Sequence, residues 1–414
     1  MRNLYLLFLL LPFGVKAIEL DSIYDQVFVD HIKTVQLFPR YNNIQNEILP
    51  PILKLNQQAH LELNFDDLSE DGINYAAKIV HCNKDWKPSI LVSTDYLSEY
   101  NEFQVNDENQ SFNTQTFYTH FKFSVPKVTK SGNYGLILYD MDSEDLVLCK
   151  RFIIFEELIK ILPKSNYADL RSSKGLQSFN FDIVIGDNTI ESPSSTIKVA
   201  MLQNNRWDNS KNEIKPFTIN EAGGTIQYRI FNSSEQFNGG NEFRMFDARS
   251  TNFSGKNIAF VDDSKLPHEI FIQYDKNRNY HTYQDDNDIN GGFLIDHYEF
   301  GDGEVNADYT YVHFTLEYPY PNKSIFVFGG LTNWKLKREF KLRFNDEKKR
   351  YEGRALLKQG YYNYRYVIDG KDEVKLEGSY TNTENKYDII VYYRPFGERY
   401  DQVIGHNTSF INKY

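Results

Sequence analysis

The chain has little cysteine, little tryptophan and no long apolar run beyond its first residues. Its 414 residues include two cysteines, three tryptophans and four methionines. After residue 17 no stretch approaches the roughly 20 apolar residues that a membrane-spanning helix needs. We therefore expect the folded part of the chain to be soluble.

Positive charge is also in deficit. The chain has 46 lysines and arginines against 57 acidic residues, a formal net charge of −11. A nucleic-acid-binding surface requires a basic patch or stripe, and no block of like charges is long enough for a polybasic membrane tether. The charge balance therefore argues against nucleic acid as a partner.

The N-terminus has the pattern of an export signal. Residues 1–3 are a short positive segment, residues 4–15 are apolar apart from Pro12, and residues 15–17 (Val-Lys-Ala) offer a small-residue cleavage site. Cleavage after Ala17 removes Arg2 and Lys16, which leaves 44 cations against 57 acids and a mature charge of −13. The signal contains no cysteine for lipid attachment, so we expect an exported protein with no direct lipid anchor.

Motifs for catalysis, metals and cofactors are missing or incomplete. No Gly-x-Ser-x-Gly elbow is present, and the nine histidines include no HExxH pair. Residues 286–291 copy the start of a calcium-binding loop, but His297 stands where the bidentate acid belongs, which favours a solvated acidic turn. We therefore predict no catalytic residue, no metal and no cofactor, and a protein that is not an enzyme.

Cys82 and Cys149 both lie in strand-like stretches. An oxidising compartment would allow them to form a disulfide, provided that their Cα atoms lie within about 7 Å. Two buried free thiols are an equally good interpretation of the same residues.

Short alternating segments dominate the rest of the chain. Aromatic residues make up 15%, mostly tyrosine and phenylalanine, which favour strands. Segments of 5–8 residues alternate with polar turns, such as the acidic cluster at 66–72, and this spacing is typical of β-sandwiches. We expect an all-β protein of three immunoglobulin-like or early-set sandwiches in series after the cleaved signal: residues 18–157, 158–307 and 308–414.

Residues 239–249 combine charges with large apolar side chains. They read GGNEFRMFDAR and place Glu242, Arg244, Asp247 and Arg249 between aromatic neighbours. In a strand at least one charge must then be buried, where it is normally paired and hydrogen-bonded. A hydrolase site and a structural ion network are both consistent with this pattern. Because no nucleophile, metal or cofactor motif accompanies it, we favour an ion network that locks the middle domain or shapes a partner surface.

The C-terminal region contains a second pattern of interest. Residues 328–334 and 364–370 resemble the glycogen-binding modules attached to sugar-metabolising enzymes, which clamp glucan with two tryptophans and a lysine. Trp334 matches the first tryptophan, Arg365 takes the place of the lysine, and the second tryptophan is absent. The resemblance implies an early-set sandwich in which Trp334 and Arg365 are a vestigial glycan contact.

A chain-long resemblance covers the mature sequence. The segments that carry it are residues 31–39, 61–68, 81–86, 117–120, 129–134, 150–152, 203–208, 239–249, 327–334 and 387–400. Together they resemble the plug proteins of the type IX secretion system. This resemblance implies a periplasmic, non-enzymatic protein that binds the outer-membrane translocon barrel and closes its periplasmic opening. An exported carbohydrate-binding protein is the alternative that Trp334 and its domain suggest.

Overall fold

Almost all regular structure is β. The computed structural model describes residues 21–41, 47–164, 175–186, 190–280 and 282–412, and the helices within these ranges are single turns. The expected all-β class is therefore confirmed. The expected signal, residues 1–17, lies outside the described residues.

The strands and turns follow the chain in this order. The first ten described strands are β1 (Gln26–Val27), β2 (Ile32–Arg40), β3 (Ile52–Lys54), β4 (His60–Asp67), β5 (Tyr75–Cys82), β6 (Phe103–Gln104), β7 (Asp107–Gln110), β8 (Thr119–Ser124), β9 (Gly132–Asp140) and β10 (Leu146–Phe155). They are followed by β11 (Lys160–Pro163), β12 (Leu176–Gln177), β13 (Phe181–Val184), β14 (Ile197–Gln203), β15 (Arg206–Lys211), β16 (Thr218–Asn220), β17 (Thr225–Tyr228) and β18 (Phe237–Asn238). Next come β19 (Arg244–Asp247), β20 (Ile258–Asp262), β21 (Glu269–Ile272), β22 (Asp275–Lys276) and β23 (Phe293–Ile295). The remaining strands are β24 (Tyr309–Glu317), β25 (Ile325–Phe328), β26 (Lys341–Asn345), β27 (Arg350–Lys358), β28 (Gly360–Ile368), β29 (Asn385–Tyr393) and β30 (Gln402–Ile411). The helical turns are α1 (Pro193–Thr196), α2 (Gly303–Asn306) and α3 (Val374–Glu377), with 3₁₀ turns at Ser93–Asp95, Gly330–Thr332 and Arg338–Phe340.

The N-terminal sandwich consists of β1–β10. One sheet has the order β1-β10-β9-β5-β6, with β3 beside β10, and the other has the order β2-β4-β8-β7. Alternate residues of β4, Leu61, Leu63 and Phe65, are buried in the core between the sheets, as the period of a strand requires. Strand β4 continues through Asp67, and Asp66 is fully buried. The turn expected at 66–72 therefore begins later, because Asp66 has interior partners described below.

The middle sandwich draws on two distant parts of the chain. Its sheets have the orders β11-β13-β17-β16 and β15-β14-β29-β30, with the small β12-β18 sheet beside them. Phe181 and Ile183 from the first sheet meet Met201 and Ile389 from the second in one core. The last two strands of the chain therefore complete the middle sandwich.

The third body, which we call the ten-stranded unit, is a single folded-over sheet. Its order is β19-β28-β25-β26-β27-β24-β21-β20, with β22 on β24 and β23 on β28. Phe246, Phe314, Val327 and Tyr362 meet in its core. Strands on both sides of the expected boundary at 307/308 belong to this sheet. Alternation in sequence indicates strands, whereas strand partners depend on contacts between distant segments.

A further apolar core joins the N-terminal and middle sandwiches. Ile137 and Ile153, on the outer face of the six-stranded sheet, pack with Ala200, Leu202 and Tyr392 of the sheet that contains β14 and β29. Both faces of these two sheets are thus covered. A joint of this kind is more hydrophobic than the polar interfaces that allow domains to move freely.

Candidate functional site

Residues 239–249 lead from the middle sandwich into the ten-stranded unit. Strand β19 pairs antiparallel with β28, with Arg244 opposite Tyr364. Gly239 lies so close to another segment that a Cβ atom there would be 2.0 Å from the Tyr380 carbonyl oxygen, and Gly240 has φ +67°. The two glycines therefore permit a close, left-handed turn before the charged residues.

Arg244 is the centre of a buried ion cluster. Its Nε donates to Glu377 Oε1 at 3.0 Å, its Nη1 to Asp275 Oδ1 at 2.8 Å, and its Nη2 to the Lys276 carbonyl at 2.7 Å. Arg278 lies 2.7 Å from the other oxygen of Glu377, which is 1% exposed. Burial opposes ionisation of Glu377, but the two arginines outweigh it and lower its pKa to about 2. Each of the three guanidinium nitrogens of Arg244 therefore has an acceptor, as expected of a buried arginine with a structural role.

Glu242 occupies a different environment. Its Oε1 accepts hydrogen bonds from the Tyr283 hydroxyl at 2.6 Å and from the Glu384 backbone N–H at 2.9 Å. Burial, reinforced by the charges of Asp288 and Asp285, raises the pKa of Glu242 to about 7. No described arginine or lysine forms an ion pair with this carboxyl group, so it is outside the cluster of Arg244.

Asp247 and Arg249 form a third, separate contact. Arg249 donates from Nε and Nη2 to the two carboxylate oxygens of Asp247 at 2.9 and 2.8 Å, and its guanidinium lies 4.2 Å from the centre of the Tyr298 ring. The Tyr298 hydroxyl also donates to Asp247 at 3.1 Å. The four charged residues singled out in the sequence are thus distributed over three clusters, and only Asp247 and Arg249 contact each other.

A second buried network joins the middle sandwich to the ten-stranded unit. Arg206 of β15 binds Asp208 through Nε and Nη2 at 3.1 and 3.0 Å and Glu373 Oε1 at 2.6 Å. Arg365 of β28 binds the other oxygen of Glu373. Burial raises the pKa of Glu373, but the charges of Arg206 and Arg365 dominate and lower it to about 2. The carboxylate of Glu373 therefore holds two arginines from different parts of the fold.

Trp334 lies against this network. The guanidinium of Arg206 is 4.6 Å from the centre of its ring, and Phe243 and Phe328 contact it edge to face. Arg365 is 4% exposed and lies 3.7 Å from the Phe243 ring centre. A sugar would stack on a free aromatic face, yet the Arg206 guanidinium occupies one side of the half-buried Trp334 ring, and Arg365 is committed to Glu373. The two residues are used for packing between domains.

The three tryptophans are nevertheless close to one another. Trp86, Trp207 and Trp334 all line a cleft of about 350 Å³ at the junction of the three bodies. Trp86 and Trp207 meet edge to face with ring centres 4.8 Å apart, and the Arg151 guanidinium lies 4.6 Å from the Trp86 ring centre. Tryptophan fluorescence therefore reports on this junction.

The N-terminal sandwich and the ten-stranded unit share a fully buried ion pair. Lys358 Nζ lies 2.7 Å from Asp66 Oδ2, and the two side chains are 1% and 0% exposed. His120 Nδ1 is 2.6 Å from the other oxygen of Asp66, and the Tyr309 hydroxyl donates to Oδ2 at 2.7 Å. Burial raises the pKa of Asp66, but Lys358 and His120 outweigh this effect and lower it. Asp66 and Lys358 thus join two bodies that lie 292 residues apart in sequence.

Cys82 and Cys149 are buried free thiols in the structure. They lie on β5 and β10, which flank β9 in the same sheet. Cys82 lies opposite Asn133 and Cys149 opposite Ile137, so two strand spacings, roughly 10 Å, are a lower limit to their Cα separation and already exceed the distance that a disulfide spans. Burial raises the pKa of each thiol to about 12, so both remain protonated.

The calcium-like turn has an interior carboxylate. Asp288 accepts hydrogen bonds from the backbone N–H groups of Phe243 and Asn290, and burial raises its pKa to about 6. In the described ranges no group of three or more histidine, cysteine, aspartate or glutamate residues is arranged to hold a metal ion. Asp288 is therefore a turn-stabilising group for residues 239–249.

Sequence reasoning missed several of these residues. Asp66, Lys358, Glu373 and Glu377 are single charges in ordinary surroundings, and no local pattern identifies them. Arg206 lies within residues 203–208, one of the segments that carried the chain-long resemblance. That segment was the one available signal.

The helices in the described part of the chain are too short and too polar to cross a membrane. This observation agrees with the absence of long apolar runs after residue 17.

Comparisons with known proteins identify two regions. Residues 32–156 match the type 9 secretion system plug protein first domain, and residues 312–393 match the glycogen recognition site of AMP-activated protein kinase. Both matches agree with the resemblances in the sequence, and both families are non-catalytic. A crystal structure of a hypothetical protein from Parabacteroides merdae is 31% identical, with a TM-score of 0.87, over 94% of this chain and 100% of that one. The comparison with curated proteins finds no match.

Proposed function

We propose that this chain, which contains a region similar to the type 9 secretion system plug protein first domain, binds the outer-membrane translocon barrel and closes its periplasmic opening. The match of residues 32–156 to the plug protein first domain carries the proposal. The protein acts in the periplasm after cleavage of residues 1–17. Its role is mechanical, with no bond made or broken.

A plug must keep its shape while it blocks an opening. Three contacts in the fold support this role: the apolar core between the first two sandwiches, the Asp66–Lys358 pair and the Arg206–Glu373–Arg365 network. Each joins a different pair of bodies. A buried ion pair is costly to break because one partner is left as an uncompensated charge. The three bodies are therefore expected to move as one block, and to be released as one block when a substrate passes.

Copurification from native membranes tests the proposal. A tagged copy of the protein, extracted gently, is expected to bring down a large outer-membrane β-barrel. A second form of the protein, with the tag at the other terminus, controls for capture by the tag. Recovery of the wild-type protein only as a free species would contradict the proposal.

Glucan binding is the second candidate, favoured by the match of residues 312–393. The Arg206 guanidinium over the Trp334 ring opposes it. A titration with soluble glucan, followed by tryptophan fluorescence, distinguishes glucan binding from the translocon-closing role. A change that disappears in Trp334→Phe supports glucan binding, whereas an unchanged spectrum eliminates it.

A further inference from the structure

A large cleft lies between the N-terminal sandwich and the ten-stranded unit. Its volume is about 1310 Å³. One wall is formed by β1 and the start of β2, and the other by residues 330–341 and β27. Lys33 of β2 and Glu339 of the opposite wall form an ion pair of 3.1 Å.

The cleft is positively charged although the protein is acidic. Seven lysines and arginines and four acidic residues line it, a local excess of three positive charges in a chain with a net charge of −11. Among these groups Glu339 pairs with Lys33, Glu352 with Arg350, and Arg354 with Glu269 outside the cleft, so five of the seven cations form no ion pair in the described ranges. The remaining field in the cleft favours a negatively charged occupant.

Three cations close together in the sequence of one wall form no ion pair among the described residues. Lys337, Arg338 and Lys341 form no ion pair with any residue in the described ranges, although the neighbouring Lys33 does. Burial, assisted by the charges of Lys33 and Lys150, lowers the pKa of Lys337 despite the opposing effect of Glu339. An anion that enters the cleft would therefore meet cations that are not already paired with a carboxylate in the described ranges.

The cleft also has apolar surface and an open strand edge. Val35, Leu331, Leu336 and Leu356 line it between the charges. Strand β2 is the terminal strand of the order β2-β4-β8-β7, so its outer edge is not paired within that sheet. An unpaired strand edge can accept an extended peptide through backbone hydrogen bonds, while alternate side chains enter neighbouring pockets.

We propose that this cleft binds an extended, acidic segment of a partner protein in which acidic and apolar residues alternate. A small anion would use the charges alone, and a cleft of this volume exceeds the roughly 300–1,000 Å³ that small-molecule sites occupy. The acidic residues of such a segment contact Lys337, Arg338 and Lys341, and its apolar residues contact the leucines of the wall. The identification of this partner as the secretion translocon rests on the proposed function.

Peptide binding tests the cleft directly. The probe is a fluorescently labelled peptide of alternating glutamate and leucine, with a glutamine–leucine peptide for comparison, and the readout is fluorescence anisotropy. The double variant Arg338→Glu/Lys341→Glu should weaken binding at least tenfold. The matched control, Lys198→Glu/Lys215→Glu, makes the same change in net charge at exposed lysines outside the cleft and should stay within twofold of wild type.

Two results would overturn the proposal. Equal binding by wild type and Arg338→Glu/Lys341→Glu would show that the peptide does not use the cleft. Displacement of the peptide by inorganic phosphate at similar concentrations would assign the site to a small anion. Both double variants must show the far-ultraviolet circular dichroism of wild type. If Arg338→Glu/Lys341→Glu does not fold, Arg338→Gln/Lys341→Gln takes its place.

Copurification with the same variants separates this inference from the proposed function. If wild-type protein captures the barrel and Arg338→Glu/Lys341→Glu captures it equally well, the cleft is not the translocon contact and the proposed function stands. If wild type captures no barrel but binds the acidic peptide through the cleft, the proposed function fails and the acidic-segment site stands.

Discussion

Removing Lys358 should destabilise the whole protein because it breaks the contact between two of its three bodies. At 2.7 Å and an effective dielectric of about 20, the attraction between Lys358 and Asp66 is roughly 6 kcal/mol before desolvation. Loss of one partner of such a buried pair costs about 3–5 kcal/mol. We expect Lys358→Met to lower the free energy of unfolding by about 3 kcal/mol, near the lower end of this range. The loss is limited because His120 and Tyr309 continue to bind Asp66.

Asp66→Asn should cost about 4 kcal/mol, because it leaves the Lys358 ammonium buried without a counter-ion. Burial already lowers the pKa of Lys358 in the wild-type protein although Asp66 opposes this effect, and loss of the Asp66 charge lowers it further. The folded state of Asp66→Asn therefore binds fewer protons than the unfolded state, and its stability should rise with pH up to the ordinary pKa of lysine, about 10.4. The rise from this site should be smaller in the wild-type protein, in which the pair is intact.

The assay is urea unfolding, followed by tryptophan fluorescence and circular dichroism. The double variant Asp66→Asn/Lys358→Met should cost about 2–3 kcal/mol less than the sum of the single variants, because the two residues contact each other. Costs below about 1 kcal/mol for both single variants, or strict additivity, would refute the claim that this pair holds the two bodies together.

Four further predictions concern the other buried groups. Arg244→Ala should destabilise the fold by about 3–5 kcal/mol in urea unfolding, and an unchanged unfolding midpoint together with lost partner binding would move Arg244 to an interface. The stabilisation from Glu377, whose pKa is about 2, is fully present above about pH 4.5 and is lost as pH falls toward 2. The stability of Glu377→Gln should therefore depend less on acid pH than that of wild type. An equally steep acid transition would contradict this expectation. Glu242 has a raised pKa of about 7, so its effect has the opposite sign, and the free energy of unfolding should fall as pH rises from about 5 to 8. Glu242→Gln should reduce that fall. An unchanged slope would show that other groups cause it. Cys82 and Cys149 should react with a thiol reagent only when urea unfolds the protein, with two thiols titrated and no effect of reductant on the midpoint; rapid labelling of the native protein would contradict their burial.

Part of the candidate site was visible in the sequence. Charged residues within the apolar stretch 239–249 had to be buried if the stretch was a strand, and Glu242, Arg244 and Asp247 are indeed each less than 9% exposed. Their partners were not visible, because Glu377 and Asp275 lie 133 and 31 residues from Arg244. An ion pair between such distant positions leaves no local pattern.

Trp334 and Arg365 show a related limit, because a recognisable motif does not indicate which distant residues contact its side chains. They stand in a pattern that resembles the glycogen-binding modules, and residues 312–393 match that family. The residue that covers the Trp334 ring, Arg206, comes from the middle sandwich and lies outside the pattern. A motif therefore identified the domain, while the contact with another domain decided what its tryptophan does.

The sequence by itself determined the all-β class, most of the strands and the similarity of two regions to known families. Alternation and turn residues act over a few positions, and family motifs are continuous segments, so both can be recognised without a structure. Only the tertiary structure decided that β29 and β30 complete the middle sandwich, that Asp66 is paired with Lys358, and that seven cations from separate segments line one cleft in an acidic protein. These features depend on which distant segments meet, and that is set by the packing of the whole chain.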